Sequence, residues 1–139
     1  MIYHVNRLTF RPEVDERQRT DALDRLRRQG SDIDAVKSWV VGPDIGGDYE
    51  WGAVFAIEDL EGYWEYLIHP VHFDSEKAGL PLIDRFVSFD ITDDGEPEIG
   101  AHIAQLHKRS YEENPELAQL VADVPSFAAG AVPKDAPQP

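Results

Sequence analysis

Apolar and polar side chains alternate from Ile2 to Phe10, the period of a strand. Ile2, His4, Asn6, Leu8 and Phe10 share one face, and Tyr3, Val5, Arg7 and Thr9 share the other. Two polar residues, His4 and Asn6, stand in the middle of the more apolar face. Buried polar groups need hydrogen-bond partners, so this face borders either a cavity or a loop that satisfies them. Pro12 and Asp15 open a helix predicted to run to Gln29, with Gly30 as its C′ residue. Ile33 to Val41 reads as a second strand closed by Gly42-Pro43, and Asp44-Ile45-Gly46-Gly47-Asp48 as a turn. Tyr49 to Ile57 reads as a third strand, with Trp51, Ala53, Phe55 and Ile57 on one face.

The period then changes. Leu60, Tyr63, Trp64, Leu67 and Ile68 recur at i, i+3, i+4, i+7 and i+8, the stripe of a helix lying on a core, with Asp59 as its N-cap. Tyr66 lies about 130° from the centre of that stripe at roughly 100° per residue, so packing there does not account for it. Pro70 ends the helix and pushes His69 out of the α region, so His69 and His72 bracket a bend. A further helical piece, broken around Gly79 and Pro81, leads to a last strand, Arg85 to Thr92, whose apolar face is Val87, Phe89 and Ile91.

The order β-α-β-β-α-β is the ferredoxin-like α+β arrangement, complete by about residue 93. Its helices cover one face of the sheet, and the face holding Tyr3, Val5 and Arg7 is expected to be covered by a second copy, as a homodimer. The division expected is a domain over 1–94 and an extension over 95–139. In the extension, Ile99, Ile103 and Leu106, and later Leu117, Leu120, Val121 and Val124, predict two short helices separated by Asn114-Pro115. This arm is expected to dock on the domain or on the partner subunit, and Ala128 to Pro139 to stay loose.

Charge and composition narrow the partners. A net charge of −14 opposes nucleic-acid binding, and the arginines between Arg17 and Arg28 alternate with acids as on a solvated helix face. No stretch approaches the ~20 apolar residues of a transmembrane helix, so no membrane is expected. The N-terminus shows no charged region followed by an apolar run, so no targeting segment is expected. Cysteine is absent, which rules out disulfides, zinc–thiolate sites and a cysteine nucleophile, and fits a cytoplasmic setting.

The chemistry concentrates in Tyr66-Leu67-Ile68-His69-Pro70-Val71-His72. A neutral imidazole with a pKa near ~6.5 can take a proton, and a phenol can donate a hydrogen bond to a carbonyl oxygen. The plainer alternative is that histidines at a helix end cap carbonyls. His69 and His72 at i, i+3 lack an obvious third ligand, and His102 and His107 do not share a helical face well, so no metal and no cofactor are expected.

The strand from His4 to Phe10, the strand from Tyr49 to Ile57, the His69-Pro70-Val71-His72 helix end and the closing Phe89-Asp90-Ile91-Thr92 together resemble the Dabb family of stress-responsive dimeric α/β-barrel proteins. The resemblance covers about residues 1 to 93, and Tyr49 to Thr92 is similar to its olivetolic acid cyclase-like members. It implies a cofactor-independent lyase or cyclase on a small carbonyl, polyketide-like compound, with His72 and Tyr66 as the acid–base pair. His4 and Lys37 fall on substrate-binding positions, with Asn6, Trp51 and His69 also placed around the pocket. Trp51 stands where the cyclases have a histidine and Asn6 where they have an apolar residue, which implies a different substrate. Two further readings follow from the resemblance. One is a non-catalytic small-ligand-binding stress protein. The other is a monooxygenase of the wider superfamily, through Asn6-Arg7-Leu8-Thr9, Trp64 and His72.

Overall fold

The alternation at the N-terminus forms β1 (Ile2–Phe10), whose helix-facing residues Ile2, His4, Asn6, Leu8 and Phe10 are all buried. The computed structural model describes residues 1–129. After β1 come α1 (Glu16–Asp32), β2 (Val36–Pro43), β3 (Trp51–Ile57), α2 (Leu60–Ile68), α3 (Pro70–Gly79), a 3-10 turn over Leu80–Leu82 and β4 (Ile83–Thr92). This is the ferredoxin-like α+β fold, in which β3, β1 and β4 pair antiparallel in the order β2-β3-β1-β4. The extension adds α4 (Ile99–Glu113), α5 (Pro115–Ala122) and β5 (Ser126–Ala129), the last pairing parallel to β4 as the fifth strand.

Register fixes which side chains meet. Across β3, β1 and β4, Phe55–His4–Asp90, Ala53–Asn6–Ser88 and Trp51–Leu8–Phe86 form rows. Directly paired residues share a sheet face, so all three rows lie under the helices. The opposite face carries Val40–Val54–Val5–Phe89 and the pair Tyr3–Ile91. There Val40 is 58% exposed and Ile91 59%. Val87, Phe89 and Ile91, the apolar face of the last strand, therefore point to the open side, while Phe86, Ser88 and Asp90 point to the helices.

Local chemistry sets the helix ends. Asp15 accepts from the backbone of Gln18, whose side chain returns a bond to Asp15, a complete capping box. Asp21–Arg25 and Asp24–Arg27 pair at 3.0 Å each on the solvated side of α1. Pro70 sits in the first turn of α3, and His69 closes α2 and caps α3, accepting from Val71 N through Nδ1 at 3.1 Å.

Four expectations shift. The first helix continues to Asp32, because Gly30 serves a close approach and not a cap: a Cβ there would stand 2.1 Å from the Trp39 ring. The second strand starts at Val36, since Val36 N closes a turn on Ile33 O at 3.0 Å. The third starts at Trp51, with Tyr49 outside it holding the guanidiniums of Arg7 at 5.1 Å and Arg85 at 4.5 Å from its ring. Ala128 and Ala129, expected in a loose tail, belong to β5, where Phe127 stacks on Phe86 at 5.4 Å; residues 130–139 of that expected tail lie outside the described residues.

The arm lies on its own chain. α4 packs on α2, and α5 on α3 and the 3-10 turn, burying Ile103, Leu117, Val121 and Val124. Asn114 separates the two helices as expected, its Oδ1 accepting from Leu117 N.

Gly30→Ala should destabilise the protein by about 1–3 kcal/mol through overpacking against Trp39, measured by chemical denaturation. Adding Trp39→Ala should recover most of that loss, because it removes the ring and the Cγ that the methyl meets.

Candidate functional site

The polar residues in the middle of β1 dictate what gathers over it. His4 Nδ1 lies 2.9 Å from Asp90 Oδ1, its neighbour across the strand pair. The Tyr63 hydroxyl, from the inner face of α2, donates to both Asp90 oxygens at 3.0 and 3.1 Å. It also lies 3.0 Å from His4 Nδ1 and 2.9 Å from His107 Nε2 of α4. One proton assignment satisfies every contact: His4 Nδ1–H and His107 Nε2–H donate, and Tyr63 passes its single proton to the carboxylate. Burial by itself would raise the Asp90 pKa, but the His4 hydrogen bond and charge bring it below the usual carboxylate range. Burial, followed by the charge of His4, takes His107 down to about 4, so it is neutral at pH 7.

A second group stands beside the first. Tyr66 is fully buried and donates its hydroxyl to Gln29 Oε1 in a short bond. Its ring lies 4.7 Å from that of His72. His72 Nδ1 meets the Leu67 carbonyl at 3.1 Å, which requires Nδ1 to carry the proton and leaves the Nε2 lone pair free. That Nε2 lies 3.5 Å from Glu76 Oε1, one helical turn along α3. Burial takes His72 down to about 3 and pushes Glu76 up to about 7. Gln29 faces the Glu76 carboxyl and favours its anion, yet Gln29 Nε2 meets no acceptor at hydrogen-bond distance.

These groups border two cavities. A narrow cleft of about 40 Å³ lies between the sheet, α3 and the arm. His4, Asn6, His72, Glu76 and His107 form its polar wall, and Leu117, Val121 and Phe127 part of its apolar one. A more apolar cavity of about 30 Å³ lies under α1 and is lined by Leu23, Leu26 and Leu80. Asn6, Glu76 and Phe86 line both. Asn6 is 2% exposed, and its Oδ1 has no hydrogen-bond partner.

The predicted residues separate accordingly. His4, Asn6 and His72 meet at the cleft. Tyr66 adjoins His72 from behind, with its hydroxyl turned to Gln29. His69 is the cap between the helices. Trp51 packs on the core beside Leu8, outside the cleft lining. Lys37 does not join them: it is exposed on β2 and donates to the Asp34 carbonyl at 3.2 Å. Trp64 lies under Arg109 of α4, 4.1 Å from ring centre to guanidinium, so it does not meet Asn6 and His72 in the cleft. Among the described residues no three His, Asp or Glu side chains gather to hold one ion.

The sequence reading passed over Glu76, Gln29, Tyr63, Asp90 and His107 as site residues. Glu76 had a signal, standing four residues after His72 on one helix face. His107 had none, because its partners come from β1, β4 and α2.

The raised Glu76 pKa has a consequence for stability. Between 4.5 and about 7 the unfolded chain loses this proton first, so stability falls as pH rises through that window. At 1.36 kcal/mol per pH unit, the separation of about 2.5 (about 7 minus 4.5) corresponds to roughly 3 kcal/mol. Glu76→Gln should therefore raise the melting temperature at pH 8 and leave it little changed at pH 4. An equal shift at both values would contradict the assignment.

The sequence matches Dabb, the stress responsive A/B barrel domain, over residues 2–93. A Dabb family protein with a ferredoxin-like fold from Mesorhizobium loti superposes with a TM-score of 0.60 at 22% identity, over 68% of this chain and 97% of its own. A dimeric ferredoxin-like protein of unknown function from Thermobifida fusca gives 0.59 at 21% identity, over 66% and 89%. The hydroxynitrile lyase from Passiflora edulis gives 0.61 at 11% identity, over 68% and 94%. At such identities the likeness shows the fold. No curated protein sequence matches the chain. The family match takes in all four strands of the antiparallel sheet and the helix end at His69–His72, more than half of the chain, and by it this protein belongs to the Dabb family.

Proposed function

We propose that this protein is a cofactor-independent lyase or cyclase that acts on a small compound bearing a carbonyl or hydroxyl group, bound in the cleft at His72. The observation that carries the reading is the tautomer of His72. The Leu67 carbonyl holds the proton on Nδ1 and leaves the Nε2 lone pair beside the cleft. A base so placed removes a hydroxyl proton or a proton alpha to a carbonyl, and in either direction a carbon–carbon bond is made or broken. A structural neighbour that is a hydroxynitrile lyase supports this class of reaction. Tyr66 backs the imidazole with its ring, while Gln29 occupies its hydroxyl.

That engaged hydroxyl favours a second reading, a site that binds a small ligand without turning it over. An aromatic cyanohydrin and an aliphatic β-hydroxyketone separate the two, with aldehyde or ketone release followed over the uncatalysed background. Wild type should cleave one of them, and His72→Ala should lower the rate by ~10² to 10⁴, about 3 to 5 kcal/mol of barrier. Tyr66→Phe should lower it less. His69→Ala should remove a helix cap worth about 1 kcal/mol while leaving the rate near wild type. Binding of the probes without turnover by wild type would leave the ligand-binding reading in possession of the site.

The same proposal includes a homodimer formed through the open sheet face. The row Val40–Val54–Val5–Phe89 and the exposed Tyr3 and Ile91 form an apolar surface with no covering element among the described residues. The neighbour from Thermobifida fusca is described as dimeric. Light scattering at micromolar concentration should give about twice the chain mass of 15.7 kDa, and Val5→Lys should shift it towards one copy. The extension from residue 95 is placed in the same proposal as an arm docked on the domain, since the family match ends at residue 93.

A further inference from the structure

We infer that Glu76 is a second catalytic residue of this cleft: its carboxylate takes the hydroxyl proton of the bound compound, with His72 Nε2 as its immediate neighbour. The inference rests on the lyase reading and adds to His72 the carboxyl that takes the proton first.

Position carries the argument. Glu76 stands on the wall common to both cavities, with Asn6 and Phe86. The side chain is 13% exposed and its Oε1 lies 3.5 Å from His72 Nε2, just beyond hydrogen-bond length. Both atoms that face each other there are acceptors when Glu76 is ionised. A hydroxyl standing at the apex of a triangle with these two atoms supplies the proton that this pair lacks. Asn6 Oδ1, buried and without a partner, offers a further acceptor on the same wall. The lining thus asks its ligand for donors.

The surroundings set the strength of the base. Glu76 is faced by His4 from β1, Gln29 from α1, Tyr66 from α2, Tyr111 from α4 and His72 on its own helix. Burial outweighs them and holds the carboxyl at about 7, against about 3 for His72. A general base works best with a pKa near the operating pH, and at pH 7 the imidazole is by far the weaker acceptor. His72 Nε2 then accepts a hydrogen bond from the protonated carboxyl and holds the proton beside the departing carbon.

The electrons balance without a co-reactant. The hydroxyl proton passes to Glu76, and the O–H pair becomes the second bond of a carbonyl. The adjacent carbon–carbon bond breaks with its pair on the departing carbon, which recovers the proton from Glu76 and His72. Ring closure is the same sequence in reverse.

The test uses the full chain, with an aromatic cyanohydrin as substrate and benzyl alcohol and its methyl ether as binding probes. In wild type, kcat/KM should rise tenfold per pH unit below about 7 and level off above it. Glu76→Gln should lose at least ~100-fold and show a flat profile. Glu76→Asp keeps a carboxyl, drawn back from the cleft, and should keep the rising limb at a lower plateau, which serves if the Gln variant folds poorly. A Gln variant with wild-type rate and limb, or an Asp variant without the limb, would overturn the inference. If wild type cleaves neither the cyanohydrin nor the β-hydroxyketone, the lyase reading fails by itself, and the probes decide on Glu76. Benzyl alcohol should bind wild type about tenfold more tightly than it binds Glu76→Gln at pH 8, while the methyl ether binds both alike. Equal binding of the alcohol to both proteins would overturn the carboxylate as acceptor.

Discussion

A central strand with His4 and Asn6 on its buried face commits the rest of the molecule to supplying hydrogen-bond partners. An unpaired buried polar group costs about 1–3 kcal/mol, comparable to a large part of a small domain's net stability. His4 is satisfied by a carboxylate placed opposite it on β4, and that carboxylate needs further donors, which Tyr63 provides from α2. Tyr63 in turn meets His107, a residue that lies beyond the ferredoxin-like part of the chain. The choice of one side chain on β1 thus extends, bond by bond, to the position of α4. Asn6 is treated differently. Its Oδ1 is left unpaired, and two cavities open beside it.

Two acidic groups under the same helices end in opposite states for reasons visible in their neighbours. Asp90 faces His4 and the Tyr63 hydroxyl, whose donors favour the anion enough to overcome burial. Glu76 faces an imidazole whose proton is committed to a backbone carbonyl, and an amide that falls short of a full hydrogen bond. Its burial goes uncompensated. Separate environments pushing the pKa values of similar groups apart is a mark of acid–base sites, and here it sets the carboxyl proposed as catalytic apart from Asp90. The net charge of −14 does not bear on this, since these two carboxyls answer to contacts within a few ångströms.

Much of the fold could be read from period alone. The alternation in Ile2–Phe10 and the bend at Pro70 depend on local sterics, and both stand where the pattern puts them. The stripe on α2 misled in part. Ile68 lies on it yet is 52% exposed, while Tyr66 lies off it and is fully buried. The helix has turned its phenols inward because the sheet beneath offers Asp90, and α1 offers Gln29, as partners. Hydrophobicity cannot show that, since the reward for burying a tyrosine depends on an acceptor from another element. Val87, Phe89 and Ile91 present the complementary case, an apolar face that serves the open side while polar Ser88 and Asp90 face the helices. In this sheet the alternation identifies two faces, and only the partners tell which one is the inside.

The arm changes what kind of site this is. Without α4, α5 and β5 the polar wall of His4, Asn6, His72 and Glu76 would stand open along β4; with them, Leu117, Val121 and Phe127 close it into a cleft. An apolar cover beside a polar wall deepens the burial of Glu76, and burial is what raises its pKa. The arm adds to the polar wall as well, since His107 anchors to Tyr63 and Ser110 reaches the lining. Under the proposed function, ligand selection is therefore divided. The family core holds the groups proposed to meet a donor, and the extension shapes the apolar side of the cleft.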